Sequence, residues 1–181
     1  YIRDPSYLLN FVSKLNEKLE DIQVEMAFYG EMVDCVDIIN EFKKEGQEWV
    51  NVKGSISRNE IPSIMLGADI LVNIGNRTNF QLPSKIVEYI ASGKKILHVS
   101  LIEDDCVVEL LKDYPYFFSI NEKETVDINS LNELEEFILD DEPIDQEIVS
   151  NYSKAFLSSE ISKRYIDVMH EMTRGKRVGN K

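Results

Sequence analysis

Three observations predict an α/β fold built on a doubly wound parallel sheet with helices on both faces. Segments with a two-residue apolar period alternate with segments of helical period from Pro5 to Ile120. The run Ala68-Asp69-Ile70-Leu71-Val72-Asn73-Ile74 is mostly apolar, as expected of a central strand buried on both faces. Each pair of successive strands is separated by enough chain for a helix, and parallel pairing requires such a crossover. After Ile120 the periodicity is helical only, so extra helices are expected at the C-terminal end.

Asp4-Pro5 is a helix-start signal, an aspartate cap followed by a residue whose missing N–H is no loss in a first turn. Leu8, Val12, Leu15 and Leu19 follow at helical spacing, predicting a helix over 5–20. Ile22, Val24, Met26 and Phe28 then alternate up to Gly30, which predicts a strand. A second helix carries Val33, Val36, Ile39 and Phe42 and ends at Gly46, and 49–53 is a short strand stopped by Gly54. Ser57 and Glu60 have the spacing of a capping box, opening a short helix that runs to Gly67 with Pro62 in its first turn. The apolar strand from Ala68 ends in the loop 75–81, and a helix follows from Pro83 to Gly93. Lys95 to Val99 is the next strand, 104–112 a helix, 116–120 the last strand, and 130–139, 146–156 and 160–172 are helices. Because the alternation begins with a helix, the strand expected before it is missing or reduced to Tyr1-Ile2-Arg3. That strand would be central in a doubly wound sheet, so a truncated N-terminus is expected.

The length of 181 residues suits one domain with a real core, and 43% hydrophobic residues is ordinary for a globular chain. A formal charge of -13 argues against binding nucleic acid over a broad face; basic residues concentrate only at 174–181, read as a solvated end. The acidic cluster from Glu133 to Glu147 is most simply a solvated helical surface. Cys35 and Cys106 lie far apart and imply neither a disulfide framework nor a metal site, which suggests a reducing, cytoplasmic compartment. Neither His98 nor His170 has a neighbour at metal-ligand spacing, so no metal is expected. No run approaches the roughly 18 apolar residues of a membrane span.

The stretch from Gln81 to Ile96 carries the strongest signal. On a helix that starts at Pro83, Ser84, Lys85 and Glu88 share one face near the N-terminus, while Ile86, Val87, Ile90 and Ala91 take the other. A helix start with unsatisfied N–H groups, a hydroxyl, an ammonium and a carboxylate one turn in could hold a sugar nucleotide, with its pyrophosphate on the helix terminus and its ribose diol on the acid. On pattern alone, an ordinary amphipathic helix with a charged outer face is the simpler reading.

The order of elements together with Pro83-Ser84-Lys85, Glu88-Tyr89, Ala91 and Gly93-Lys94-Lys95-Ile96 resembles the C-terminal, nucleotide-sugar-binding half of group 1 glycosyltransferases of the GT-B fold. Phe28-Tyr29-Gly30, Val52-Lys53-Gly54 and the strand from Ala68 leading to Gly75-Asn76 support it, and nearly the whole chain is covered. The resemblance reverses the order of the two readings of the helix. It implies one Rossmann-like domain over 1–181, half of a two-domain enzyme whose N-terminal acceptor domain is absent here.

The function implied is transfer of a sugar from a nucleoside diphosphate sugar to an acceptor hydroxyl, with no cofactor beyond the donor, in bacterial surface polysaccharide or glycoconjugate synthesis. The acceptor, a saccharide or a lipid-linked saccharide, would be held by the absent half, and the full-length protein could sit peripherally at the inner face of a membrane. Glu88 corresponds to the family's ribose-binding glutamate, and Ser84 and Lys85 to diphosphate contacts. The family's first glutamate falls at position 80, which is Phe80, and its phosphate-turn glycine is replaced by Pro83. A phenyl ring accepts no hydrogen bond from a sugar, and proline has no N–H to give. Gly75 and Asn76 stand where the strand opens to the ligand crevice. Arg77, Gly54, Gly30 and Arg3 are further donor-binding candidates, while His98 reads as structural. The alternatives are a sugar-nucleotide epimerase of the same architecture and a non-catalytic doubly wound binding or assembly module.

Overall fold

The structure is a computed structural model and describes residues 3–31, 35–44 and 46–176. In chain order it runs α1 (Ser6–Lys18), β1 (Met26–Tyr29), α2 (Val36–Lys44), β2 (Val50–Gly54), α3 (Ile61–Gly67), β3 (Ile70–Ile74), α4 (Ser84–Ser92), β4 (Lys95–Ser100), α5 (Cys106–Leu111), β5 (Phe117–Asn121), α6 (Ile128–Leu139), α7 (Gln146–Lys154) and α8 (Ser158–Lys176). The strands pair in parallel, β1 with β2 and β3 with β4 with β5. The predicted Rossmann-like α/β alternation is the observed one.

Side-chain parity along β4 shows how both faces are covered. Leu97 and Val99 pack with Leu8, Phe11, Val12 and Leu15 of α1 and with Leu131 and Leu134 of α6. Ile96, one residue out of phase, packs on the opposite side with Ile86 and Ile90 of α4, Val107 and Leu111 of α5, and Val149 of α7. Successive strand residues point to opposite faces, so two helical layers sandwich the sheet, and all of β4 is buried. Met26 of β1 and Val50 of β2 join the α1 layer, so the two sheets share one core. Yet β1 and β3 are not hydrogen-bonded to each other.

Several predicted boundaries move, each for a visible reason. The strand expected from Ile22 begins at Met26, because Asn16 of α1 takes both backbone groups of Val24, donating to its carbonyl at 3.0 Å and accepting from its N–H at 2.7 Å. Only half of the Ser57–Glu60 capping box forms: the Glu60 carboxylate accepts from the Ser57 N–H at 2.9 Å, but the helix starts at Ile61 after a turn. Val36 is exposed, whereas Ile38 and Ile39 of the same helix pack on the core; Val33 lies outside the described residues. No helix of the described residues is long and apolar enough to cross a membrane.

Candidate functional site

Parallel strands all end on one side, so the loops leaving β1, β2 and β3 gather at a common edge. There α4 begins. Pro83 is its N-cap rather than its first residue, with an extended ψ of 127° and its carbonyl accepting from the Ile86 N–H at 3.1 Å. The helix carries no side-chain cap and no acid in its first turn, so its leading N–H groups meet no competing carboxylate. Ser84, Lys85 and Glu88 are exposed together, as expected. Ala91 joins them, contrary to the sequence expectation: it lies seven residues beyond Ser84, two full turns along the same face. Among the described residues, none of the Ser84, Lys85 and Glu88 side chains is drawn into a hydrogen bond or ion pair.

Other candidates cluster in two groups. Arg3 donates from Nη2 to Asn76 Oδ1 at 3.2 Å, and Asn76 Nδ2 donates to the Gln81 carbonyl at 2.9 Å, bracing the loop just ahead of α4. The Cys35 thiol donates to the Arg3 carbonyl at 3.4 Å, so Arg3 stands between the segment after β1 and the loop after β3. The phenol of half-buried Tyr89 is pushed up by burial and by the Glu88 carboxylate while Arg3 opposes the rise, which sets Arg3, Tyr89 and Glu88 in one electrostatic neighbourhood. Gly30 and Gly54 meet at the ends of β1 and β2, where the Gly30 N–H donates to the Gly54 carbonyl at 2.8 Å.

Arg77 is directed elsewhere. Its guanidinium forms a two-pronged pair with Glu122 just past β5, at 2.7 and 3.3 Å. Phe80 is 85% exposed on the loop. On the α5 flank of that loop, a hollow of about 520 Å3 is lined by Asn79 together with Glu103, Asp104, Asp105 and Glu109. Those carboxylates repel an anion. A second hollow, of about 610 Å3, lies along Phe118 and the end of α6 and includes none of the crevice residues.

No protein-family model and no curated protein matches the sequence. Solved structures do match the fold. One is a chain in a crystal structure of the GtfA/B complex, similar to this chain at a TM-score of 0.59 with 15% identity, over 91% of this chain and 32% of that one. The architecture is a known one. At that identity the likeness concerns the fold, and this chain spans about a third of the length of the chain it matches.

Sequence reading missed a buried polar network beside the crevice. His98 is fully buried within β4, between Asn73 of β3 and Asp105, the N-cap of α5. Burial acts to raise the Asp105 pKa, but the hydrogen bond and charge interaction with His98, with hydrogen bonds from Val107 and Ser100, outweigh it and hold the carboxyl below its ordinary range. The signal available was Asn73, a polar residue in an otherwise apolar strand, paired in register with a histidine.

Proposed function

We propose that this chain is the donor-binding domain of a glycosyltransferase, holding a nucleoside diphosphate sugar at the start of α4. The observation that carries the reading is the uncapped N-terminus of that helix with Ser84, Lys85 and Glu88 exposed on one face. The leading N–H groups and the Lys85 ammonium would take the diphosphate, and the Glu88 carboxylate would accept from the ribose hydroxyls. Stabilising the departing diphosphate at this terminus lowers the barrier to sugar transfer, without a resident cofactor. Arg3, braced by Asn76, adds a second cation near Tyr89 and Glu88. Arg77 is committed to Glu122 and supports the loop, while Gly30 and Gly54 leave low ground at the strand ends. Phe80 offers an apolar face to the sugar and no hydrogen bond.

The acceptor would be held by a second domain N-terminal to this one, so the domain alone binds donor and turns over little. A thermal-shift panel of UDP, GDP, ADP and their sugars at millimolar concentration tests the donor site. A ligand present at tenfold its Kd stabilises the fold by about 1.4 kcal/mol, a shift of roughly 3–6 °C. An intact protein whose melting temperature none of these moves would leave the donor-site reading without support. An epimerase would instead interconvert sugar nucleotides without an acceptor.

A further inference from the structure

We propose that His98 and Asp105 are positioning residues for the loop 75–81: their buried, hydrogen-bonded pair is the seat on which Gly75 turns, and it keeps Asn76 in reach of Arg3 and Gln81. Gly75 is still bonded to the sheet, its N–H donating to the Val99 carbonyl at 2.9 Å. It is not among the glycines with positive φ, so backbone freedom does not explain it. Space does. A Cβ at this position would lie 2.7 Å from Asp105 Oδ2, 3.1 Å from the Val99 carbonyl oxygen and 3.2 Å from His98 Cε1.

The pair is held from every side. Asn73 Nδ2 lies 2.8 Å from His98 Nδ1, so the side-chain amide of β3 engages one edge of the ring. On the other side of the ring, Nε2 lies 3.0 Å from Asp105 Oδ2, within hydrogen-bond distance. Asp105 Oδ1 accepts from the Val107 N–H at 2.8 Å, and the Ser100 hydroxyl stands 3.3 Å from Oδ2. With both nitrogens and both oxygens engaged in a buried site, ring and carboxylate are held in place, and β3, β4 and α5 are tied together under the loop. A displacement of Gly75 passes to Asn76, whose amide holds Gln81, and from there to Ser84 at the start of α4. Where the donor-site reading holds, on which this part of the proposal rests, the pair sets that site without touching the donor.

A mutant cycle tests the seat. Gly75→Ala is expected to speed exchange of the residue 75 amide, which is bonded to the Val99 carbonyl, by about tenfold beyond the intrinsic difference, while Leu71 in β3 and Leu97 in β4 keep their protection. In the Asp105→Ala background the closest clash is removed, and the effect of the added methyl falls to about threefold or less. An equal effect of Gly75→Ala in both backgrounds overturns the proposal. If Gly75→Ala folds only when combined with Asp105→Ala, the rescue is the same result in stronger form. Asp105→Asn preserves size and a cap acceptor but disrupts the bond from His98, so it must loosen the loop by itself; an unchanged loop also overturns the seat. Calorimetry with UDP, GDP and ADP separates the two readings. If the unmutated protein binds one of them, Asp105→Asn is expected to weaken it about fivefold or more, and unchanged affinity breaks the link to the donor site. If it binds none, the donor reading fails, while the exchange data still decide the seat.

Discussion

Lys85 and Ser84 lead α4 side by side, yet their contributions to an anion differ in kind. The ammonium makes a charge-assisted contact, worth about 1.5–3 kcal/mol, against about 1 kcal/mol for a neutral hydroxyl. Lys85→Ala is therefore expected to weaken nucleoside diphosphate binding by about tenfold or more and Ser84→Ala by about fivefold or less, measured by calorimetry. Equal losses, or none at Lys85, would count against the proposed phosphate contact. A second residue tests packing instead of binding. The Tyr114 hydroxyl is buried beside Tyr116 and Tyr152 with no hydrogen-bond partner among the described residues, and burial, foremost, pushes its pKa to about 12. An unpaired buried hydroxyl is a cost, so Tyr114→Phe is expected to leave stability unchanged or raise it by up to about 1 kcal/mol in urea unfolding. The shared exposed face of Ser84, Lys85 and Glu88 was legible in the sequence, since hydroxyl, ammonium and carboxylate at helical spacing need only local geometry to share a face. The buried residues were not. His98, Asn73 and Asp105 come from three elements, and only their packing makes one network of them.

Among the elements, α6 is anchored by a residue from another part of the sheet. Lys95 opens β4 with its side chain almost wholly buried and donates to the Phe137 carbonyl at 2.7 Å and to the Asp140 carbonyl. These are end-of-helix carbonyls with no intrahelical donor, and a cation there also complements the helix dipole. Lys95→Met keeps the apolar stem and removes the donor, so it is expected to destabilise the fold by about 2 kcal/mol in chemical denaturation, with fraying at 137–140 seen by amide exchange. The start of α5 has a pH signature. The Asp105 pKa is lowered in the folded state, so its contribution is present above the unfolded carboxylate pKa, near 3.9, and is lost as pH falls through the lower folded value. Asp105→Asn should be destabilised at neutral pH and approach the unmutated protein at acid pH; a gap that stays constant from pH 7 to pH 2 would contradict this. Element type and order followed from periodicity. Boundaries did not: the Asn16 side chain, from α1, delays β1, and the extended backbone of Pro83 makes it the cap of α4 instead of its first residue.

At the scale of the molecule, the sheet is divided between β1 and β3 although both halves share one core. Arg3 stands at the carboxyl ends of both, tied to Cys35 on one side and Asn76 on the other. The alternation of elements, and with it the parallel layered architecture, is determined by the sequence alone, because hydrophobic period and crossover length are properties of the chain itself. The sequence also determined which polar groups lead α4, since a helix places them without help. Only the tertiary structure decided that Arg3 reaches Asn76 across 73 positions, that Arg77 turns to Glu122, and that Gly75 has no room for a side chain. Those outcomes depend on close approach between elements distant in sequence, and periodicity carries no record of such distances.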